Sequence, residues 1–289
     1  MENIYQNELV VPKGILMAIG GKESKGNDQP ENKEAPDNFT GQEILKTFVQ
    51  LTEKENPLIE VITTASSLAE ESFSDYRKVF TELGVTTINH IHHKSRKELL
   101  ADNLEQRVNA ADAFFFSGGD QLLLSSVYGG SIFLKHLKER YIGDKIVIAG
   151  TSAGAMALST PMIYAGSKEV HELGGEIRIT TGLEFLKDVC IDTHFVHRGR
   201  FIRLAQVIAT NPTSIGIGIE EDTAIIVRKG TETEMIGSGT IIIFEGYEIS
   251  ETNVYDFGSK KPISIRDLRV HILSKGDRYT IKHLNPPHL

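Results

Sequence analysis

Short apolar runs of strand length recur at 15–19, 58–63, 86–91, 113–116 and 146–149. The segments between them are longer and place apolar residues at helical spacing, as in Ile44, Leu45, Phe48, Val49 and Leu51, or Leu99, Leu100, Leu104 and Val108. Wholly apolar strands alternating with amphipathic helices predict an α/β fold: a doubly wound, mostly parallel sheet between helices, of the flavodoxin-like type. Beyond residue 213 the rhythm tightens. The stretches IGIGIEEDTAIIVRKG, TIIIFEG and RVHILSKGDRYTIK alternate over shorter distances between Gly, Asn and Asp, which predicts antiparallel strands extending the same core near the C-terminus. No Pro- or Ser-rich linker divides the chain, so residues 1–289 read as one α/β domain. The polar stretch 22–40 reads as a surface loop. It leaves the carboxyl end of the first strand, where open α/β sheets bind ligands, and is therefore also placed to overhang a site.

Composition narrows the function. Of 289 residues, 40% are hydrophobic, enough for a large core, and 31 basic against 39 acidic side chains give a net charge of -8 with no long basic tract. That argues against a nucleic-acid partner and suits a small polar ligand. Cys190 is the only cysteine, which excludes an intramolecular disulfide framework and a cysteine-based zinc site. Residues 1–14 lack the basic-then-apolar layout of a secretory signal, and no apolar run reaches membrane-spanning length. A cytoplasmic protein without a membrane partner is the expectation.

The chemistry gathers at three places. Residues 147–151 run as a buried strand straight into a small-residue helix, and GTSAG at 150–154 matches the nucleophile-elbow pattern G-x-S-x-G. A serine hydroxyl becomes a nucleophile only when it is exposed and next to a base, and a tight strand-to-helix turn exposes Ser152. The same turn aims the Ala153 amide and the positive end of the helix at the point where an oxyanion forms. No lysine follows these glycines, so a P-loop is excluded, and no dinucleotide-binding G-x-G-x-x-G is present. At 113–120 a second strand ends in Gly118-Gly119, whose backbone can approach a ligand closely; Gly119 is the expected second oxyanion donor, with Asp120 capping the next helix. The base is expected at His194, which ends a third strand beside Asp192, Arg198, Arg200 and Arg203, a density of charge that calls for a ligand or mutual pairing. His90, His92 and His93 lack a nearby acidic ligand and read as surface residues, so no metal is expected.

Taken in order, IGG (19–21), FFSGGDQ (115–121), AGTSAGAMALS (149–159), PMIYAG (161–166), DTHFVHRGRFIRL (192–204) and GIGIEEDTA (216–224) resemble the cyanophycinases, peptidase E-like serine peptidases on a class I glutamine-amidotransferase-like scaffold. The resemblance implies that Ser152 attacks a peptide carbonyl, His194 acts as base and then acid, and the Gly119 and Ala153 amides hold the oxyanion. It implies a pocket formed by Gln121, Asp192, Arg198 and Arg203, with Arg200 in the same run, and no cofactor. An acid after the serine completes the triad in this family, which points to Glu169, then Glu172, with Glu221 a spatial alternative. The implied substrate is cyanophycin, a poly-aspartate with arginine on each β-carboxyl, cut from a chain end to β-Asp-Arg; arginine forks suit its carboxylates and Asp192 its guanidinium. Thr193 departs from the family, which commonly has glutamine there, and leaves open a peptidase E-like dipeptidase for N-terminal aspartyl peptides or a non-catalytic homologue. A homodimer is a further expectation of the resemblance.

Overall fold

A computed structural model describes residues 10–25, 42–165, 177–256 and 262–282. In chain order the first half comprises β1 (Ile15–Ile19), α1 (Glu43–Gln50), β2 (Leu58–Ile62), α2 (Ala69–Glu82), β3 (Thr87–Ile91), α3 (Arg96–Ala101), α4 (Glu105–Ala110), β4 (Ala113–Phe116), α5 (Gln121–Tyr128), α6 (Ile132–Gly143), β5 (Val147–Thr151) and α7 (Ala153–Ala157). Next come β6 (Ser159–Thr160), β7 (Met162–Ala165), β8 (Arg178–Thr180), β9 (Leu186–Lys187), β10 (Val189–Thr193), α8 (Phe201–Thr210), β11 (Ile215–Ile219), β12 (Thr223–Arg228), β13 (Glu232–Gly237) and β14 (Ile241–Glu245). The chain continues through β15 (Glu251–Thr252), β16 (Ile265–Arg266), β17 (Arg269–Leu273) and β18 (Arg278–Thr280).

Strands β1 to β5 are the five apolar runs, and they pair in parallel in the order β1-β5-β4-β2-β3, with β3 at the edge of an eight-stranded sheet. Alternation explains why they are apolar throughout: Leu16 and Ala18 enter one core cluster with Phe114 and Phe116, while Met17 and Ile19 enter another with Phe115 and with Phe48 and Phe80 of α1 and α2. The segment holding Leu99 and Val108 divides into two short helices. Ser95 caps α3, and Asn103 takes the amide of Glu105 to start α4, so Leu100 faces solvent instead of joining one long apolar stripe.

The C-terminal strands do not all extend one sheet. Strands β12, β13 and β18 continue the central sheet in antiparallel fashion from β1, whereas β11, β14 and β17 build a second, six-stranded sheet with β10, β6 and β9. The reason is local: β11 pairs in parallel with β10, and the turn at 220–222 carries the chain from the second sheet back to the first. The carboxyl ends of β1, β4 and β5, and those of β10 and β11, therefore open on one shared edge.

Candidate active site

Ser152 occupies the bend between β5 and α7 with φ 51° and ψ −113°, a conformation that costs a non-glycine residue about 1–3 kcal/mol and persists only where its surroundings over-determine it. Its amide is fixed to the carbonyl of Ile19 at 3.0 Å, so the end of β1 holds the elbow. Ala153 is the first residue of α7, and its amide has no carbonyl one turn behind it within the helix. Opposite, Gly119 adopts φ 140°, and a Cβ there would lie 1.9 Å from the carbonyl oxygen of Ala65. Only glycine fits. Among the described residues neither the Gly118 nor the Gly119 amide donates a backbone hydrogen bond, while Asp120 caps α5 by accepting from the amide of Leu122. Among the described residues these amides keep their N–H for a further acceptor, as an oxyanion site requires.

His194 follows β10 with φ 49°, and its Nε2 lies 3.0 Å from Ser152 Oγ. Its Nδ1 lies 2.6 Å from Oε1 of Glu221. A carboxylate can only accept, so the ring proton sits on Nδ1 and the Nε2 lone pair faces the serine hydroxyl, the tautomer a general base requires. The imidazole is 6% exposed and rests on Gly21, where a Cβ would come within 2.5 Å of the ring. Burial is the main force lowering the His194 pKa from its ordinary value; Arg198 and Arg200 add to it, against the raising effect of Glu221. Burial alone would raise the Glu221 carboxyl, yet hydrogen bonds from His194 and Lys22 outweigh it and leave the group below the usual range. Lys22 Nζ stands 3.2 Å from its Oε2.

Glu169 and Glu172 lie outside the described residues, and the carboxylate against His194 is the spatial alternative, Glu221. Topology accounts for this. Parallel pairing sets Thr193 beside Ile219, so the residues leaving the two strands, His194 and Glu220-Glu221, emerge together. Glu220 has a role that sequence reasoning missed: its Oε2 accepts from the amides of Val196 and, at 3.1 Å, His197, fastening the turn after the histidine.

Part of the charged run is paired within itself. Asp192 is wholly buried, with Oδ1 3.0 Å from Arg200 Nη1 and Oδ2 2.9 Å from Arg203 Nε. It therefore neutralises and orients two guanidiniums instead of waiting for a substrate guanidinium, because a buried carboxylate needs charged partners. Arg200 also donates to the carbonyl of Thr193 at 2.7 Å, and the buried Thr193 hydroxyl has no hydrogen-bond partner among the described residues. Arg198 is exposed and forms no ion pair among the described residues, which leaves its fork available. Gln121 opens α5 and donates its Nε2 to the carbonyl of Ile163 at 2.7 Å, which fixes the side chain.

His90, His92 and His93 are not surface groups. His93 is buried, its Nε2 3.1 Å from Asp102 and its Nδ1 3.2 Å from the Tyr128 hydroxyl, while His90 and His92 share the Thr63 hydroxyl and are half-buried. Among the described residues no cluster of His, Cys, Asp and Glu could hold a metal ion, and no helix is long and apolar enough to cross a membrane.

A hydroxyl meeting an imidazole that is itself seated on a carboxylate, with free amides alongside, is the arrangement of a serine hydrolase. A profile of Peptidase family S51 matches residues 32–235. Cyanophycinase of Synechococcus elongatus is 32% identical over 270 residues, 93% of this chain and 80% of that protein. Cyanophycinase of Nostoc sp. is 31% identical over 267 residues, covering 92% and 85%. Among solved structures, a peptidase from an acI-B1 Actinobacterium superposes with a TM-score of 0.61 at 21% identity over 94% of this chain and 98% of that one. The fold is also shared with a putative peptidase E of Listeria monocytogenes (TM-score 0.51, 17% identity, 78% and 99% covered). The chain belongs to peptidase family S51 and is a serine-type peptidase.

Proposed function

We propose that Ser152, His194 and Glu221 form the triad of an exopeptidase that cuts cyanophycin, or a closely similar β-linked aspartyl polymer, to β-Asp-Arg dipeptides. The observation that carries the triad is the unbroken path from Ser152 Oγ to His194 Nε2 at 3.0 Å and from His194 Nδ1 to Glu221 Oε1 at 2.6 Å. In the reaction His194 takes the Ser152 proton as Oγ attacks the carbonyl, the Gly119 and Ala153 amides stabilise the oxyanion, and the imidazolium protonates the leaving amine. Water then repeats the sequence to release the acyl group.

The relatives named cyanophycinase support the polymer as substrate, and so does the cationic rim. Arg198 forms no ion pair among the described residues, and Arg200 with Arg203 carry two charges against the one of Asp192, so aspartyl carboxylates are attracted to this side of His194. The occupied state of Asp192 favours a second reading, since it removes the expected partner of the substrate arginine: a dipeptidase for N-terminal aspartyl peptides would use the same arginines without that need. Incubation with cyanophycin and with Asp-X dipeptides, followed by mass identification of products, separates the two. Release of β-Asp-Arg is expected; cleavage of Asp-X with no loss of polymer assigns the dipeptidase. A cytoplasmic homodimer belongs to the same proposal on the strength of the family resemblance.

The titration of His194 supplies a further check. The base must be neutral, and its pKa is lowered, so activity is retained until the pH falls through that lowered value. The acid limb of kcat/KM is therefore expected below about 6.5, the ordinary imidazole value. A limb above that value contradicts a histidine in this environment acting as base.

A further inference from the structure

The residues just past β1 touch two members of the proposed triad, His194 and Glu221, and the residue before the third. The Gly20 carbonyl accepts the His194 amide at 2.9 Å, the Gly21 carbonyl accepts the Asp222 amide at 2.9 Å, and Lys22 pairs with Glu221. Glu23 completes the set in an unexpected way. It is only 4% exposed, yet among the described residues its carboxylate has no cationic partner. Its two oxygens accept from two hydroxyls instead: Oε1 from Tyr76 at 2.5 Å and Oε2 from Thr151 at 2.6 Å.

A buried carboxylate without a cation is expensive, and packing alone would be served better by an apolar side chain. What it achieves here is a connection. Thr151 is the last residue of β5 and directly precedes Ser152, whose backbone is held at positive φ. Tyr76, buried in α2, anchors the far side of the carboxylate, and Lys25 lies 4.4 Å from its ring centroid. The strained elbow is thus held at two points, by the Ile19 carbonyl at the end of β1 on the Ser152 amide and by Glu23 of the following segment on the Thr151 hydroxyl.

We propose that Glu23 is a positioning residue of the reaction: through Thr151 it sets the pose of Ser152 Oγ between His194 and the oxyanion amides. This rests on the triad proposed above. A displacement of about 1 Å at a reacting atom costs on the order of 100-fold in rate, so a clamp one residue away acts on kcat and leaves substrate binding at the arginine rim untouched. Glutamine at 23 offers a single acceptor for two donors, and valine at 151 removes the hydroxyl while keeping the shape.

The test compares Glu23→Gln, Thr151→Val and Thr151→Ser with wild type and Ser152→Ala, on the full chain, using polymer or peptide hydrolysis and the rate of labelling by a fluorophosphonate. The expected result for Glu23→Gln and Thr151→Val is a fall in kcat of about 10- to 100-fold with KM within about twofold, and slowed labelling in proportion. Thr151→Ser keeps the hydroxyl and restores most of kcat, and the double variant is no slower than either single one. Wild-type kcat in both Glu23→Gln and Thr151→Val, an effect confined to KM, or a loss that only tracks the folded fraction overturns the proposal. Wild type and Ser152→Ala hydrolysing equally overturns the triad instead. Should Glu23→Gln fail to fold, Thr151→Val against Thr151→Ser decides the question.

Discussion

Replacing Ser152 with alanine is expected to lower kcat about 10⁴- to 10⁶-fold while leaving the fold and substrate binding intact. Alanine inherits the same backbone conformation, with φ 51°, and the side chain loses only its contact with His194 Nε2. What remains is the contribution of the Gly119 and Ala153 amides and of the arginine rim, which acts on a water molecule without a covalent step. The measurement is kcat beside a thermal melt and fluorophosphonate labelling: wild type is labelled and the variant is not. Hydrolysis at the wild-type rate by Ser152→Ala would remove the elbow from the chemistry altogether.

Glu221→Gln has the next largest expected effect, about 10³- to 10⁴-fold in kcat with KM little changed. The physical reason is the proton on His194. A glutamine that turns its amide NH₂ toward Nδ1 forces that nitrogen to accept, which moves the ring proton to Nε2 and leaves no lone pair for the serine hydroxyl. The imidazolium formed during attack also loses its counter-charge, now 2.6 Å away. Glu169→Gln and Glu172→Gln are the comparison: a loss at either one equal to that at Glu221 transfers the orienting role to it.

How far the sequence foretold this arrangement depends on the distance over which a signal acts. The elbow is a local pattern, and Ser152 stands where GTSAG places it because strand, turn and helix are consecutive. The four inner parallel strands are equally legible, since burial on both faces writes itself into apolar runs such as AFFF. The partner of His194 was not, because Glu221 is 27 residues further along and comes near only through the parallel register of β10 and β11. One clue existed: two apolar strands ending in DTH and GIEE would bring their carboxyl ends together if paired in parallel. The division of the C-terminal strands between two sheets was hidden for the same reason, as alternation marks a strand and says nothing of which neighbour it takes. The charge around Asp192 is legible in the sequence and its pairing is not, since composition cannot distinguish a carboxylate waiting for a ligand from one already gripped by Arg200 and Arg203.

In the proposed triad Ser152 follows a strand of the central sheet, His194 follows a strand of the second, and Glu221 lies in the turn that crosses from one to the other. Hydrolysis is consequently a gauge of how well two slabs are docked. A denaturant that slides one against the other by an ångström silences the enzyme while every strand remains paired within its own sheet, so inactivation runs ahead of the loss of far-ultraviolet circular dichroism.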